Sequence, residues 1–227
     1  MAQWTEREAD RYPHDKWYEN IWYHHKFHII FGVMLIVFIA VLFFSTRMND
    51  PTDMYILYIT DSPEVYTEKT DTLKEVLTKY AEDKNGDGKV TLFIENLYIG
   101  EEFDAANTFK NKEKIMTALR SGNSMFVIAD SVGAQYLESA DVCADLTSVI
   151  PESYTENLDL NGKMWNWTDT DFRMKNNVFY EMFDDTTLYF GIRQFEGTIA
   201  ELTDSAKNNY EMAKKLLTAI ATNPKSE

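Results

Sequence analysis

The sequence predicts an α/β domain: a three-layer αβα arrangement around a mostly parallel sheet, of order about 2-1-3 plus a returning strand, preceded by one N-terminal transmembrane helix. Three observations predict it. Short apolar, β-rich runs alternate with helix-length segments from residue 54 onward, the pattern of βαβ crossovers. The third of these runs is apolar at every position, as a strand covered on both faces must be. A single uncharged stretch of Ile, Leu, Val and Phe stands ahead of all of them.

That stretch, Ile29 to Phe44, reads IIFGVMLIVFIAVLFF. At about 1.5 Å per residue it spans about 24 Å, short of a hydrocarbon core of about 30 Å. Phe27, His28, Ser45 and Thr46 extend it to 27–46, long enough to cross. Its thirteen Ile, Leu, Val and Phe residues contribute roughly −4 to −8 kcal/mol of insertion free energy, and no charge opposes them. A buried core helix would need a polar stripe, which is absent. The rival reading is a cleavable signal peptide. Against it, Phe43-Phe44-Ser45-Thr46-Arg47 lacks the small residues that a signal peptidase reads. Arg7, Arg11, Lys16 and Lys26 precede the span and only Arg47 follows closely, so the N-terminus is expected in the cytoplasm and the bulk of the chain outside it. The expected organisation is a cytoplasmic juxtamembrane aromatic segment (1–26), the membrane helix (27–46), a linker (47–53), an extracytoplasmic domain (54–222) and a tail (223–227). The protein then sits in the cell membrane as a single-pass protein, with the lipid bilayer as a partner. Trp17, Tyr18, Trp22 and Tyr23 suit the headgroup layer as an interfacial anchor continuous with the helix. His24 and His28, four apart, read either as interface-seated histidines or as two metal ligands on one helical face.

The elements of the domain follow in order. Met54–Thr60 (MYILYIT) reads as a strand, and Leu73, Val76, Leu77 and Tyr80 mark an apolar helical face within Thr67–Asp83. Val90–Ile99 is a second strand, Asn107–Ser121 a helix stopped at Gly122, and Met125–Ala129 a third strand. Ser131–Ser139 makes a short helix, and Asn157–Lys175, rich in Asn, Asp, Thr and Trp, a loop or short hairpin. Thr186–Gln194 is a fourth strand. The last helix has its apolar face at Ala206, Tyr210, Ala213, Leu217 and Ile220, is capped by Thr203 or Asp204, and ends at Asn223-Pro224.

Composition narrows the function. The chain has 227 residues, 22 Lys plus Arg against 37 Asp plus Glu, and a net charge of −15, which argues against nucleic acid. Residues 47–227 carry 18 cations against 32 acids, so nearly all the excess is expected outside the cytoplasm. One Cys, Cys143, excludes an intramolecular disulfide or a thiolate cluster. All four histidines precede or enter the span, which removes histidine-based nucleophilic catalysis and histidine-ligated zinc from the domain. Asp61-Ser62-Pro63-Glu64 follows the first strand where a glycine-rich phosphate cradle would stand, and nothing implies a resident cofactor. The chain is therefore read as no enzyme, with a two-carboxylate hydrolase the catalytic alternative.

The segment ALRSGNSMFVIADS at Ala118–Ser131, ADLTSVIP at Ala144–Pro151 and the returning LYFGIR at Leu188–Arg193 before a long terminal helix resemble one lobe of type II periplasmic solute-binding proteins. The resemblance is closest to small membrane-tethered proteins of Gram-positive, clostridial-type bacteria. It covers roughly residues 54–222 and implies a ligand-binding or interaction module. That family binds ligand between two lobes, whereas residues 141–186 are too few for a second one.

Four groups of residues are candidates for function. In an open parallel sheet, ligands bind beyond the carboxyl ends of the strands near a reversal of strand order, which brings Thr60, Asp61 and Ser62 beside Asp130 and Ser131. Those residues equally suit turns and helix caps. Trp165 and Trp167, two apart, share a face if extended, to stack on a ligand or to pack over the sheet. Asp83, Asn85 and Asp87 in DKNGDG match the first half of a calcium loop, although the twelfth position is Ile94; a tight turn explains the same residues, and any Ca²⁺ site is weak. Glu181, Asp184 and Asp185 form an acidic group that reads either as a cation site or as solvated loop charge. The expected function is a membrane-anchored extracytoplasmic binding or interaction module for a small polar ligand or a membrane-protein partner. The alternative is a structural subunit of a transporter or secretion complex.

Overall fold

A computed structural model describes residues 17–48, 52–62, 67–100, 105–176, 183, 186–196, 201 and 203–223. The chain divides into two compact units, Met1–Asp50 and Pro51–Glu227.

The first unit contains helix α1, Trp17–Met48. The expected aromatic segment from Trp17 onward is thus the first part of the same helix. Within α1, His25–Leu42 is long and apolar enough to cross a membrane, and none of that window is buried. Phe27, Phe31 and Ile36 expose 75%, 70% and 68% of their surface, on all sides of the helix. His25 and His28 make an edge-on ring contact at 6.1 Å, whereas the side chain of His24 lies outside the described residues.

The second unit is built on a six-stranded sheet of order β2-β1-β3-β6-β5-β4. In chain order its elements are β1 (Met54–Thr60), α2 (Thr67–Thr78), β2 (Leu92–Tyr98), α3 (Ala105–Ser121), β3 (Ser124–Ala129), α4 (Ser131–Ser139), a 3-10 turn (Glu152–Asn157), β4 (Leu158–Asp159), β5 (Met164–Asn166), α5 (Asp171–Lys175), β6 (Tyr189–Ile192) and α6 (Asp204–Thr222). β1 pairs in parallel with β2 and β3, as the alternation of runs and helices predicts.

The rest of the sheet corrects the expectation of a mostly parallel one. β6 is antiparallel to β3 and to β5, and β4 is antiparallel to β5. The reason is the path of the chain. β5 finishes at Asn166 level with Tyr189, the start of β6, and only the short α5 is described between them. Among the described residues no long helix carries the chain back across the sheet, and β6 starts where β5 stops and runs the other way. The Asn157–Lys175 segment accordingly contains both the expected hairpin and the unexpected α5. The first domain helix is also shorter than expected, ending at Thr78, because Lys79 and Tyr80 donate to carbonyls only three residues back and so tighten the chain out of the helix.

Alternate side chains of each strand enter two separate cores. Ile56 and Tyr58 of β1, Phe126 and Ile128 of β3, and Phe190 and Ile192 of β6 meet Leu73, Val76 and Leu77 of α2 and Ala213, Leu217 and Ile220 of α6. On the opposite face Leu57, Ile59, Val127 and Ala129 meet Ile115 and Leu119 of α3 and Ala134 and Leu137 of α4. The sheet therefore has helices on both faces, which is why β3 is buried at all six positions. Thr203, one of the two expected caps, is the residue that starts α6, its Oγ1 accepting from Ala206 N at 3.3 Å.

Candidate functional site

β1 and β3 end side by side, so the residues that follow them are brought together by the parallel register that pairs Ile59 with Ala129. Asp130 terminates β3 and caps α4. Its Oδ1 accepts from Gly133 N at 2.8 Å and its Oδ2 from Asp61 N at 2.7 Å, so one carboxylate ties the loop after β1 to the start of α4. The side chain is 5% exposed. Thr60 Oγ1 accepts from Ser62 N at 3.0 Å, and Thr60 O accepts from Ile99 N at 2.8 Å, which fastens the same loop to the end of β2.

These residues enclose a cavity of about 200 Å³ lined by all five predicted positions, Thr60, Asp61, Ser62, Asp130 and Ser131. Tyr58, Lys69, Thr186 and Thr187 complete its polar wall. Burial pushes the Tyr58 hydroxyl well above its ordinary value; the negative charge of Asp130 adds to this, and a hydrogen bond with Thr60 opposes it. Tyr58 is thus a neutral hydroxyl at every physiological pH. Phe183 forms an apolar part of the wall, with Lys69 Nζ 5.5 Å from its ring centre. A second cavity of about 320 Å³ shares Asp61 and Val132 with the first and adds Tyr98, Gly100, Lys112 and Tyr136. Gly100 has no side chain for a reason: a Cβ there would overlap the Tyr98 ring and hydroxyl.

Sequence reasoning missed Tyr58, Lys69, Thr186 and Thr187. Tyr58 carried a readable signal, since it lies two residues before Thr60 on the same face of β1. Thr186 and Thr187 did not, because they reach this edge only through the reversed direction of β6. A larger cavity, about 780 Å³, lies along α6 between Val149, Phe195 and Tyr210. Lys and Glu side chains form much of its wall, so we place the site at the strand ends, where buried polar groups converge.

Trp165 and Trp167 require correction as ligand-stacking residues. They do share a face, but that face is the core: they are 1% and 0% exposed. The Trp165 ring packs 5.9 Å from Phe190, and Trp167 meets Phe183 edge-on at 5.7 Å. Neither ring face is open to a ligand. Trp167 stands behind Phe183 and supports the cavity wall from inside.

Asp83, Asn85 and Asp87 form a turn. Asp83 accepts from Gly86 N at 2.6 Å and Gly88 N at 2.8 Å, Asn85 Oδ1 from Asp87 N at 2.8 Å, and Asp87 Oδ1 from Lys89 N at 2.8 Å. Gly86 and Gly88 have φ of 73° and 86°, which only glycine adopts without strain. Buried Asp53 holds the turn against β1, accepting from Lys84 N and Thr91 N at 3.0 and 2.7 Å. Each predicted calcium ligand thus has an oxygen engaged by the backbone of its own turn. Among the described residues no three His, Cys, Asp or Glu side chains group as a metal site. The acidic group Glu181, Asp184 and Asp185 lies outside the described residues.

No protein-family model, curated protein or solved structure matches this chain.

Proposed function

We propose that the protein is a single-pass membrane protein with a cytoplasmic N-terminus, whose extracytoplasmic α/β domain binds a small polar ligand at the carboxyl edge of β1 and β3. The domain serves as a single lobe of the kind that type II periplasmic solute-binding proteins use in pairs. One observation carries the reading: Thr60, Asp61, Ser62, Asp130 and Ser131, apart in sequence, line one cavity with Tyr58 and Lys69. A site of hydroxyls, carboxylates and one ammonium matches a ligand rich in hydrogen-bonding groups. Binding rather than catalysis is supported by the absence of histidine after His28, and by the engagement of both Asp130 oxygens with backbone N–H groups. The exposed apolar surface of α1 from Phe27 to Leu42 supports the membrane anchor.

Melting of the detergent-solubilised full chain against sugars, amino acids, short peptides and Ca²⁺ tests this. A shift with one organic class, abolished by Thr60→Val and Asp61→Asn, is expected. A shift with Ca²⁺ alone, removed by Asp87→Asn, would place the ligand at the 83–88 turn instead. No shift with any compound, together with a stoichiometric membrane protein co-purifying from crosslinked membranes, would replace this reading with that of a structural subunit.

A further inference from the structure

At the end of the sheet opposite the cavity, Tyr55 and Phe93 are directly paired in the β1–β2 register. Their rings touch, with centres 5.6 Å apart, yet the two side chains are 45% and 48% exposed. They continue the side of the sheet that carries Leu57 and Leu97, beyond the reach of the α3 packing that buries those residues. Exposed single hydrophobic residues are ordinary, and Phe109, Tyr154 and Met174 are of that kind. Two aromatic rings held against each other on rigid strands form a built surface.

The occupant follows from how closely β1 follows the apolar helix. Residues 49–53 alone separate Met48 from Met54, and six fully extended residue steps reach about 20 Å. Tyr55 is therefore tethered within a short distance of whatever surface α1 leaves, and a bilayer's headgroup layer is itself several ångströms deep. Charge permits the contact at this edge. The domain as a whole is strongly acidic, but around the amino ends of the strands Lys84, Lys89 and Arg120 balance Asp53, Asp83 and Asp87. Tyr and Phe are suited to an interface where one side is apolar and the other wet. β1 is seven residues long, so Asp61 stands about 20 Å from this edge at the other end of the strand.

We propose that Tyr55 and Phe93 form a membrane-contact patch that seats the amino edge of the sheet on the zwitterionic headgroup layer and keeps the cavity at the carboxyl edge facing away from the bilayer. The inference rests on the anchored reading above. Its test places the photoreactive residue p-benzoylphenylalanine at position 93, or at the exposed control position Phe109, in the full chain reconstituted into phosphatidylcholine nanodiscs. After irradiation, mass spectrometry is expected to find lipid adducts at 93 at least fivefold above those at 109, and Tyr55→Ser is expected to reduce them. Equal adducts at both positions, or none at 93, would overturn the contact while leaving the anchor intact. Protein–protein adducts at 93 in place of lipid would assign the patch to a second copy of the chain. Failure of the unmodified chain to enter nanodiscs would overturn the anchor itself and the contact with it.

Discussion

Gly133 shows how little room the site's foundation leaves. A Cβ at this position would stand 2.6 Å from the carbonyl oxygen of Ile59 and 3.1 Å from the Ala129 side chain, and backbone cannot move aside as a flexible side chain can. Gly133→Ala is expected to lower the free energy of unfolding by about 1–3 kcal/mol, measured by urea titration; an unchanged midpoint would show that α4 shifts freely. Asp130→Ala removes the α4 cap and the acceptor for Asp61 N, for a loss of about 1–2 kcal/mol. Asp83 allows a pH test. The N–H groups of Gly88 and Gly86 hold its carboxyl below the ordinary 3.8. A depressed folded-state value stabilises the fold above the unfolded value, and the contribution is lost as pH falls through the folded one. Asp83→Asn should therefore be less stable than the parent at pH 7, with the difference narrowing below 3.8; a constant difference down to strongly acidic pH would contradict the hydrogen-bonded turn. Cys143 is 3% exposed, and its thiol is pushed up to about 12, mainly by burial. It should resist a thiol reagent at pH 8 until denaturant unfolds the domain. At this scale the cavity residues were legible because the positions after parallel strands are set by topology. The role of Trp165 and Trp167 was not, since a residue pair that shares a strand face reads the same whether that face meets ligand or core.

Phe190 of β6 joins the elements on one side of the sheet. Its ring lies 6.0 Å from Phe126, 5.9 Å from Trp165, 6.5 Å from Trp167 and 6.0 Å from Phe172, so β3, β5 and α5 all pack on it. Phe190→Ala is expected to cost about 3–5 kcal/mol in equilibrium denaturation, because a void ringed by four aromatic groups on different elements collapses poorly. If Trp165 and Trp167 served mainly to grip a ligand, the same substitution would be nearly neutral. Element identity was readable where hydrophobic period and length agree, as in β1, β3 and α6. It failed in the short elements. α5 has five residues, too few for a period to show, and β5 has three, so its pairing depends on Gly191 across from Met164 rather than on any local preference.

As a whole molecule the protein is two units with opposite surfaces, an apolar helix and an acidic folded domain. A fragment lacking residues 1–48 should unfold cooperatively in urea, while the full chain should remain in the membrane fraction through a carbonate wash. A full chain released by that wash would remove the anchor reading. The amino-acid sequence by itself determined the membrane-length helix, the β2-β1-β3 parallel unit and the meeting of Thr60 and Asp61 with Asp130, because each depends on local periodicity or on the near-invariant hand of βαβ crossovers. Only the tertiary structure decided the direction of β6, the burial of the two tryptophans and the arrival of Tyr58, Lys69, Thr186 and Thr187 at one cavity. Those outcomes depend on contacts between residues far apart in the chain, where a strand's direction is fixed by the edge at which the preceding segment leaves it and burial by what packs on top.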